Sequence, residues 1–298
     1  MSVRSLVRED RCSAMSSLRF GVLTYLNCLP ATLGLERGAV GGEGWSLTRG
    51  TPAELNQLMR DGHLDVSLVS AVEYVDNEDA YTLLDEFSLW CDGPVQSVTL
   101  YSGLSREELQ DCGAGVIAVT PESASSVTLT EILLPNCQTE VFDSLQDVRD
   151  GLTSGRYKAL LLIGDGALAP PDWTKSLQAH DLSQWWADQT HHPMTFAVWV
   201  ARQDLETSAL DEARSLLSRS LDWGKAQAET VLKEACQRSA LSRERLMDYF
   251  SNLEYRTTPE SELGFSEFRS RVKRHRVFGK KRPLAGAGRG PRFRVSAL

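Results

Sequence analysis

The stretch TPAELNQLMRDGHLDVSLVS, residues 51–70, carries a helix pattern followed at once by a strand pattern. Thr51 can cap the helix and Glu54 completes a capping box. Gly62 ends the helix, and residues 64–69 form a short apolar run that is typical of a buried strand. A helix joined to a buried strand by so short a turn predicts an α/β fold with mostly parallel strands.

The same alternation of strand and helix patterns continues along the chain. Strands are predicted over residues 19–23, 45–49, 95–101, 116–119, 159–163 and 194–200. Further helices are predicted over residues 125–134, 206–234 and 242–252. We interpret 95–101 and 195–200 as strands that cross between two lobes, because a complete set of strands and helices lies between them. Such a fold binds its ligand in the cleft between the lobes.

These crossings define a domain organisation. Lobe one is predicted to be discontinuous, with residues 17–97 and 197–280, and lobe two to comprise residues 98–196. A flexible extension is expected at 1–16 and a disordered basic tail at 281–298, where Gly, Ala and Arg dominate. The basic run before this tail could contact nucleic acid, but a solvated helix end followed by a disordered tail is the interpretation we adopt, and no nucleic-acid partner is expected. The net charge of −8 for the whole chain argues against a nucleic-acid enzyme.

Composition narrows the class of protein further. With 42% hydrophobic and 24% charged residues in 298, the chain is typical of a globular protein with a sizeable core. No apolar run is long enough to cross a bilayer, and the first twenty residues lack the pattern of a signal peptide. We therefore expect a cytoplasmic protein without a membrane partner. The six cysteines contain no C-x-x-C pair, so neither a zinc site nor a disulfide framework is predicted.

Small polar residues follow several of the predicted strands, where helices begin. Helix N-termini favour anions, so a cleft that joins several of them suits a carboxylate ligand without a metal. Ordinary helix capping is the alternative explanation for each serine taken singly. The candidate site residues are Tyr25, Asn27, Ser70, Ala71, Ser97, Ser123, Ser125, Ser126 and Asp165.

One of these segments also resembles a known family. YLNCLP, residues 25–30, resembles the Y-L-N-x-x-P signature of the chorismate dehydratases in the futalosine route to menaquinone. The resemblance continues in order to about residue 202, through GHLDVSLVSAVEY (62–74), GPVQSV (93–98), ESASSVTL (122–129), LIGDGAL (162–168), DL (181–182) and FAVW (196–199).

The resemblance implies a fold, a reaction and roles for the candidate residues. The fold would be the periplasmic-binding-protein-like type II fold, and the reaction the dehydration of chorismate to 3-[(1-carboxyvinyl)oxy]benzoate, without a cofactor. Asn27 would be the catalytic residue, because an amide suits hydrogen bonding to a departing hydroxyl. Ser125 and Ser126 would bind a carboxylate, and Ser70 and Ser97 would line the opposite wall. No residue stands out as general base, so we hypothesise that the enolpyruvyl carboxylate of the substrate removes the proton.

Two other functions stay open. The sister enzyme that cleaves cyclic dehypoxanthine futalosine resembles this family, but it carries a histidine at the position of Gly164. It also favours a Thr-Thr pair where this chain has Ser125 and Ser126. A non-catalytic small-carboxylate binding protein or sensor could share the fold, since fold does not determine function. In every case the expected partner is a small molecule, and the sequence leaves a homodimer open.

Overall fold

The computed structural model describes residues 17–41, 44–120 and 123–278. The extension predicted at 1–16 and the basic tail predicted at 281–298 lie outside the described residues. Within these ranges no helix is long and apolar enough to span a membrane.

Strands and helices alternate over most of the chain, as the α/β class requires. The strands are β1 (Leu18–Leu23), β2 (Trp45–Gly50), β3 (Val66–Ser70), β4 (Tyr81–Cys91), β5 (Val98–Ser102), β6 (Val116–Val119), β7 (Gln138–Val141), β8 (Tyr157–Ile163), β9 (Gln178–Asp181), β10 (Met194–Arg202) and β11 (Glu254–Arg256). The helices are α1 (Leu29–Glu36), α2 (Pro52–Arg60), α3 (Ala71–Asp76), α4 (Arg106–Asp111), α5 (Ala124–Leu133), α6 (Leu145–Thr153), α7 (Gly164–Leu168), α8 (Leu182–Thr190), α9 (Thr207–Ala226), α10 (Ala228–Arg238), α11 (Arg243–Ser251) and α12 (Pro259–Phe278).

The strands form two sheets. The first has the order β11-β4-β10-β3-β1-β2, and the second has the order β7-β6-β8-β5-β9. The chain leaves the first sheet after β4 and returns to it at β10. The predicted crossing segment 95–101 covers the end of the outward linker and most of β5 in the second sheet, and 195–200 lies within β10 in the first sheet. The first sheet draws on residues 18–91 and 194–256, and the second on residues 98–181. The exact lobe boundaries predicted from the sequence remain a proposal.

The α/β class is confirmed, but the sheets are mixed where mostly parallel strands were expected. Among the described strands, β1, β2 and β3 pair in parallel, as do β6, β7 and β8. The pairings of β4, β5, β9, β10 and β11 are antiparallel. The expectation of mostly parallel strands was wrong because β4, β5 and β10, which flank the two passages, run antiparallel to their neighbours in the sheets. Crossover helices do not join these strands to their neighbours.

Helix α2 shows how closely local signals can specify an element. The Thr51 hydroxyl accepts the backbone N–H of Glu54, and the Glu54 carboxylate accepts the backbone N–H of Thr51 at 2.8 Å. The predicted capping box is therefore confirmed. The mostly buried strands β3 and β10 lie side by side in the middle of the first sheet, and α2 packs against β3.

Candidate active site

A cleft lies between the two sheets, and seven of the nine predicted site residues line it. Its volume is about 60 Å³, well below the roughly 300–1,000 Å³ of typical small-molecule sites. A ligand of ordinary small-molecule size therefore enters only when the walls move apart. The predicted residues in the lining are Tyr25, Asn27, Ser70, Ser97, Ser123, Ser125 and Ser126.

Asn27 projects from a single 3-10 turn, Leu26–Cys28, that follows β1. Its Oδ1 accepts the thiol hydrogen of Cys28 at 3.1 Å. Burial raises the pKa of the Cys28 thiol far above its ordinary value, so the thiol stays protonated and remains a donor. The backbone oxygen of Asn27 accepts the Tyr255 hydroxyl at 2.8 Å. With its amide oxygen engaged in this way, Asn27 offers its NH₂ group, a donor, to a ligand.

Two helix N-termini meet across the cleft. Ser70 ends β3 and caps α3, its hydroxyl accepting the backbone N–H of Glu73 at 3.2 Å. The N–H of Val72, in the first turn of α3, donates to the Ser125 hydroxyl on α5 at 3.2 Å. Ser125 is almost fully buried. The first turn of α3 and the first turn of α5 are therefore in direct contact, where both dipoles favour negative charge.

The start of α5 also carries a pair of linked hydroxyls. Ser123 caps the helix by accepting the N–H of Ser126 at 3.2 Å, and its own hydroxyl donates to Ser126 Oγ at 2.8 Å. This arrangement leaves the Ser126 proton for another acceptor. A carboxylate at this helix start would meet hydroxyl and amide donors together, which is the geometry of anion sites at helix N-termini.

Ser97 lies in the linker from β4 to β5 and is held on several sides. Its backbone oxygen accepts the N–H of Gly164 at 2.7 Å, and its hydroxyl hydrogen-bonds the buried Tyr249. Gly164 itself has a φ of 55°, and a Cβ there would lie 3.2 Å from two ring carbons of Tyr25. A glycine at this position therefore supplies both the backbone conformation and the room that the Tyr25 ring occupies.

The other two predicted residues, Ala71 and Asp165, do not line the cleft. Ala71 is fully buried in the first turn of α3. Asp165 accepts the backbone N–H of Leu26 and so ties α7 to the turn that carries Asn27. Surrounding protein atoms raise the pKa of Asp165 above its ordinary value, although this hydrogen bond acts in the opposite direction. Asp165 therefore lies next to the turn that carries Asn27 and outside the lining of the cleft.

The structure adds residues that local sequence patterns did not single out. Tyr249 hydrogen-bonds with Ser97. Tyr255 donates to the backbone oxygen of Asn27. Burial raises the pKa of both phenols well above the ordinary value, so both stay protonated. Apolar side chains complete the lining: Leu23, Pro52, Leu89, Val95, Val98, Ile163, Phe196, Ala197 and Leu253. Five of them belong to blocks that resemble the family: Val95 and Val98 to GPVQSV, Ile163 to LIGDGAL, and Phe196 and Ala197 to FAVW.

The lining carries no charged side chain among the described residues. Neutral donors and two helix N-termini therefore supply its polarity, on a largely apolar background. In the same part of the chain, no three His, Cys, Asp or Glu side chains are grouped so as to hold a metal ion. Such a site suits an anionic ligand that is recognised by hydrogen bonds.

Comparison with known proteins identifies the fold. A crystal structure of a protein from Archaeoglobus fulgidus superposes with a TM-score of 0.70 at 17% identity, covering 88% of this chain and 98% of that one. The periplasmic aliphatic sulphonate binding protein SsuA of Escherichia coli gives a TM-score of 0.60 at 13% identity, covering 89% and 94%. These likenesses confirm the periplasmic-binding-protein-like fold predicted from the sequence.

Sequence comparison identifies the family. A curated chorismate dehydratase of Thermus thermophilus is 30% identical over 242 residues, which is 76% of this chain and 86% of that protein. Residues 18–274 match the family described as menaquinone biosynthesis. That match spans both sheets and every described residue of the cleft, and the chain therefore belongs to the menaquinone biosynthesis family.

Proposed function

We propose that the protein is a chorismate dehydratase, a hydro-lyase that converts chorismate to 3-[(1-carboxyvinyl)oxy]benzoate and water without a cofactor. The observation that carries the proposal is the cleft, where Asn27 and five serines converge on a lining with no charged side chain. Chorismate presents two carboxylates and one hydroxyl leaving group, so it needs donors of this kind. The activity of the Thermus thermophilus relative supports the same reaction.

The reaction needs one proton acceptor and one donor to the leaving group. The ring carbon that bears the enolpyruvyl ether loses its hydrogen, and the neighbouring carbon loses its hydroxyl. The electron pair of the broken C–H bond completes the aromatic ring, so aromatisation supplies the driving force. The Asn27 amide would donate to the departing hydroxyl, and donors placed where charge develops lower barriers by several kcal/mol, about 3–4 for a single one.

The described lining offers no carboxylate or imidazole to take the ring proton. We propose that the enolpyruvyl carboxylate of the substrate accepts it, while Ser125 and Ser126 orient the other carboxylate at the N-terminus of α5. The proton then leaves with the hydroxyl as water, so no atom is left unaccounted for. Holding the reacting groups in place can contribute roughly 7–11 kcal/mol in favourable cases.

Gly164 distinguishes this function from that of the sister enzyme. A side chain at this position would press on the Tyr25 ring, so a cleft with a histidine here would have a different shape. The serine pair in α5 agrees with the dehydratase as well. The alternative function, a small-carboxylate binding protein, would use the same cleft and would differ only in that the bound ligand is not converted. A cytoplasmic location and a homodimer remain predictions from the sequence.

The test is incubation of the purified protein with chorismate in the presence of a metal chelator, followed by mass spectrometry and ultraviolet absorbance. We expect loss of one water per chorismate and the spectrum of a substituted benzoate. Binding without conversion would refute the dehydratase and favour the binding protein. If chorismate does not bind at all, cyclic dehypoxanthine futalosine is the next substrate to assay, and its cleavage would identify the sister enzyme.

A further inference from the structure

The linker between β4 and β5, residues 92–97, has an unusual backbone conformation directly before Ser97. Gln96 has a φ of 64°, in the left-handed region that residues with a side chain rarely adopt. In the described part of the chain only His191, where α8 ends, shares this property among non-glycine residues. Such conformations persist where the surroundings hold them, and they cluster at functional sites.

Asp181 holds the backbone of this linker. Its carboxylate accepts the N–H of Val95 at 3.2 Å and the N–H of Gln96 at 2.5 Å. It also accepts the N–H groups of Ser183 and Gln184, at 2.9 and 3.1 Å, in the first turn of α8. Because β9 ends and α8 begins at Asp181, this one carboxylate joins the outward passage between the sheets to the return passage.

The Gln96 side chain is held separately, by α11. Its Oε1 accepts a hydrogen bond from Arg245 at 2.5 Å, and its Nε2 donates to Asp248 at 2.8 Å. Arg245 also pairs with Asp248 at 3.3 Å. A neutral amide between a cation and an anion is oriented at both ends, because its acceptor faces the guanidinium and its donor faces the carboxylate. We call Gln96, Arg245 and Asp248 the linker clamp.

The same helix reaches Ser97 by a second route. Tyr249, one residue after Asp248, is fully buried in α11 and hydrogen-bonds the Ser97 hydroxyl. The Ser97 backbone is fixed as well, since its N–H donates to the Val95 carbonyl at 2.8 Å. Helix α11 therefore contacts Ser97 itself through Tyr249 and the preceding residue through the linker clamp. These contacts fix the place of Ser97 in the lining of the cleft.

We propose that Arg245 and Asp248 are positioning residues for Ser97: they hold the Gln96 side chain, and this keeps the linker in the conformation that presents the Ser97 hydroxyl to the substrate. The inference rests on the proposed function, because Ser97 affects turnover only if the cleft is the dehydration site. Neither Arg245 nor Asp248 lines the cleft, so both act through Gln96.

The experiment compares Arg245→Ala with Arg243→Ala, in the wild-type chain and in a Ser97→Ala chain. The two arginines are matched, since both lie on α11, both pair with a carboxylate, and their side chains are 41% and 46% exposed. Arg243 contacts Glu229, far from the linker. We expect Arg245→Ala to lower kcat/KM for chorismate by at least about tenfold, and Arg243→Ala to leave it within about twofold.

The Ser97→Ala background separates positioning from a general loss of structure. Since Arg245 acts through the Ser97 hydroxyl, its replacement should cost less than about twofold in kcat/KM once that hydroxyl is gone. If turnover of Ser97→Ala is too slow to measure, the affinity for the benzoate product gives the same comparison. An equal loss in both backgrounds, or no loss in the wild-type background, would overturn the inference. Absence of turnover in the wild-type protein would instead refute the proposed function.

Discussion

Gly164 is the position where one added methyl group tests the wall of the cleft most directly. Gly164→Ala adds two costs. A residue with a Cβ costs roughly 1–2 kcal/mol in the left-handed region, which the φ of 55° occupies. The new Cβ would also lie 3.2 Å from two carbons of the Tyr25 ring, closer than ordinary van der Waals contact, so the ring must shift within the cleft.

We expect Gly164→Ala to lower the free energy of unfolding by about 1–2 kcal/mol and the thermal midpoint by roughly 2–6 °C. Turnover should fall more than stability suggests, by at least about tenfold in kcat/KM, because the displaced ring belongs to the lining. Thermal unfolding and a chorismate progress curve on the same preparation measure the two effects together.

Gly166→Ala is the matched control. It lies in the same short helix, its φ is ordinary, and a Cβ there would meet no atom within 4 Å. An added methyl group should leave its activity unchanged and its stability equal or slightly higher. If Gly164→Ala behaves like Gly166→Ala in both assays, neither the backbone conformation nor the contact with Tyr25 matters, and the reasoning about this wall is wrong.

Three further predictions concern the turn that carries Asn27 and the ion pair between Arg19 and Asp65. Asn27→Asp places a carboxylate next to an anionic substrate, so kcat/KM at neutral pH should fall by about a hundredfold or more. The exposed Asn136→Asp adds the same charge outside the cleft and should retain wild-type kinetics. Tyr255→Phe removes the donor to the Asn27 carbonyl, which should cost about 1 kcal/mol in urea unfolding and lower kcat with the fold intact by circular dichroism; unchanged kcat would contradict a supporting role. Burial opposes the charge of Asp65, but hydrogen bonds from Arg19 outweigh it and hold the Asp65 pKa below its ordinary value. A lowered pKa stabilises the fold above the unfolded-state pKa, so the stability advantage over Asp65→Asn should persist from pH 7 to about 5 and shrink below about pH 4. An advantage that does not shrink in urea titrations as the pH falls below about 4 would refute the assignment.

Local chemistry explains which parts of the fold could be predicted. The capping box of α2 and the strands β1, β2, β6 and β8 depend on residues close together in the sequence, and the prediction placed all of them. Strand β4 was missed because Asp85 and Glu86 interrupt its apolar pattern, and its pairing with β10 contains two irregularities. Strand β4 is held by its pairing with β10 and β11, and these pairings cannot be recognised from the local sequence of β4.

The candidate site divides in the same way. Asn27 and the serines follow strands or begin helices, and such positions can be recognised from the local sequence. Tyr255 donates to Asn27 across 228 residues of chain, and Arg245 reaches Gln96 across 149. No pattern in the local sequence identifies Tyr255 or Arg245 as a supporting residue. Only the return of the chain to the first sheet brings these supports beneath the cleft.

The contact between Val72 and Ser125 has a consequence for how tightly the cleft can hold its ligand. With the walls together, the Val72 N–H in the first turn of α3 already has an acceptor in the Ser125 hydroxyl. A carboxylate that takes this N–H replaces one partner with another, so the net gain is the difference between two hydrogen bonds. When the product leaves, the Ser125 hydroxyl can take back the Val72 N–H and so replace the carboxylate of the product. An internal competitor of this kind keeps affinity moderate and favours repeated cycles over storage of the ligand.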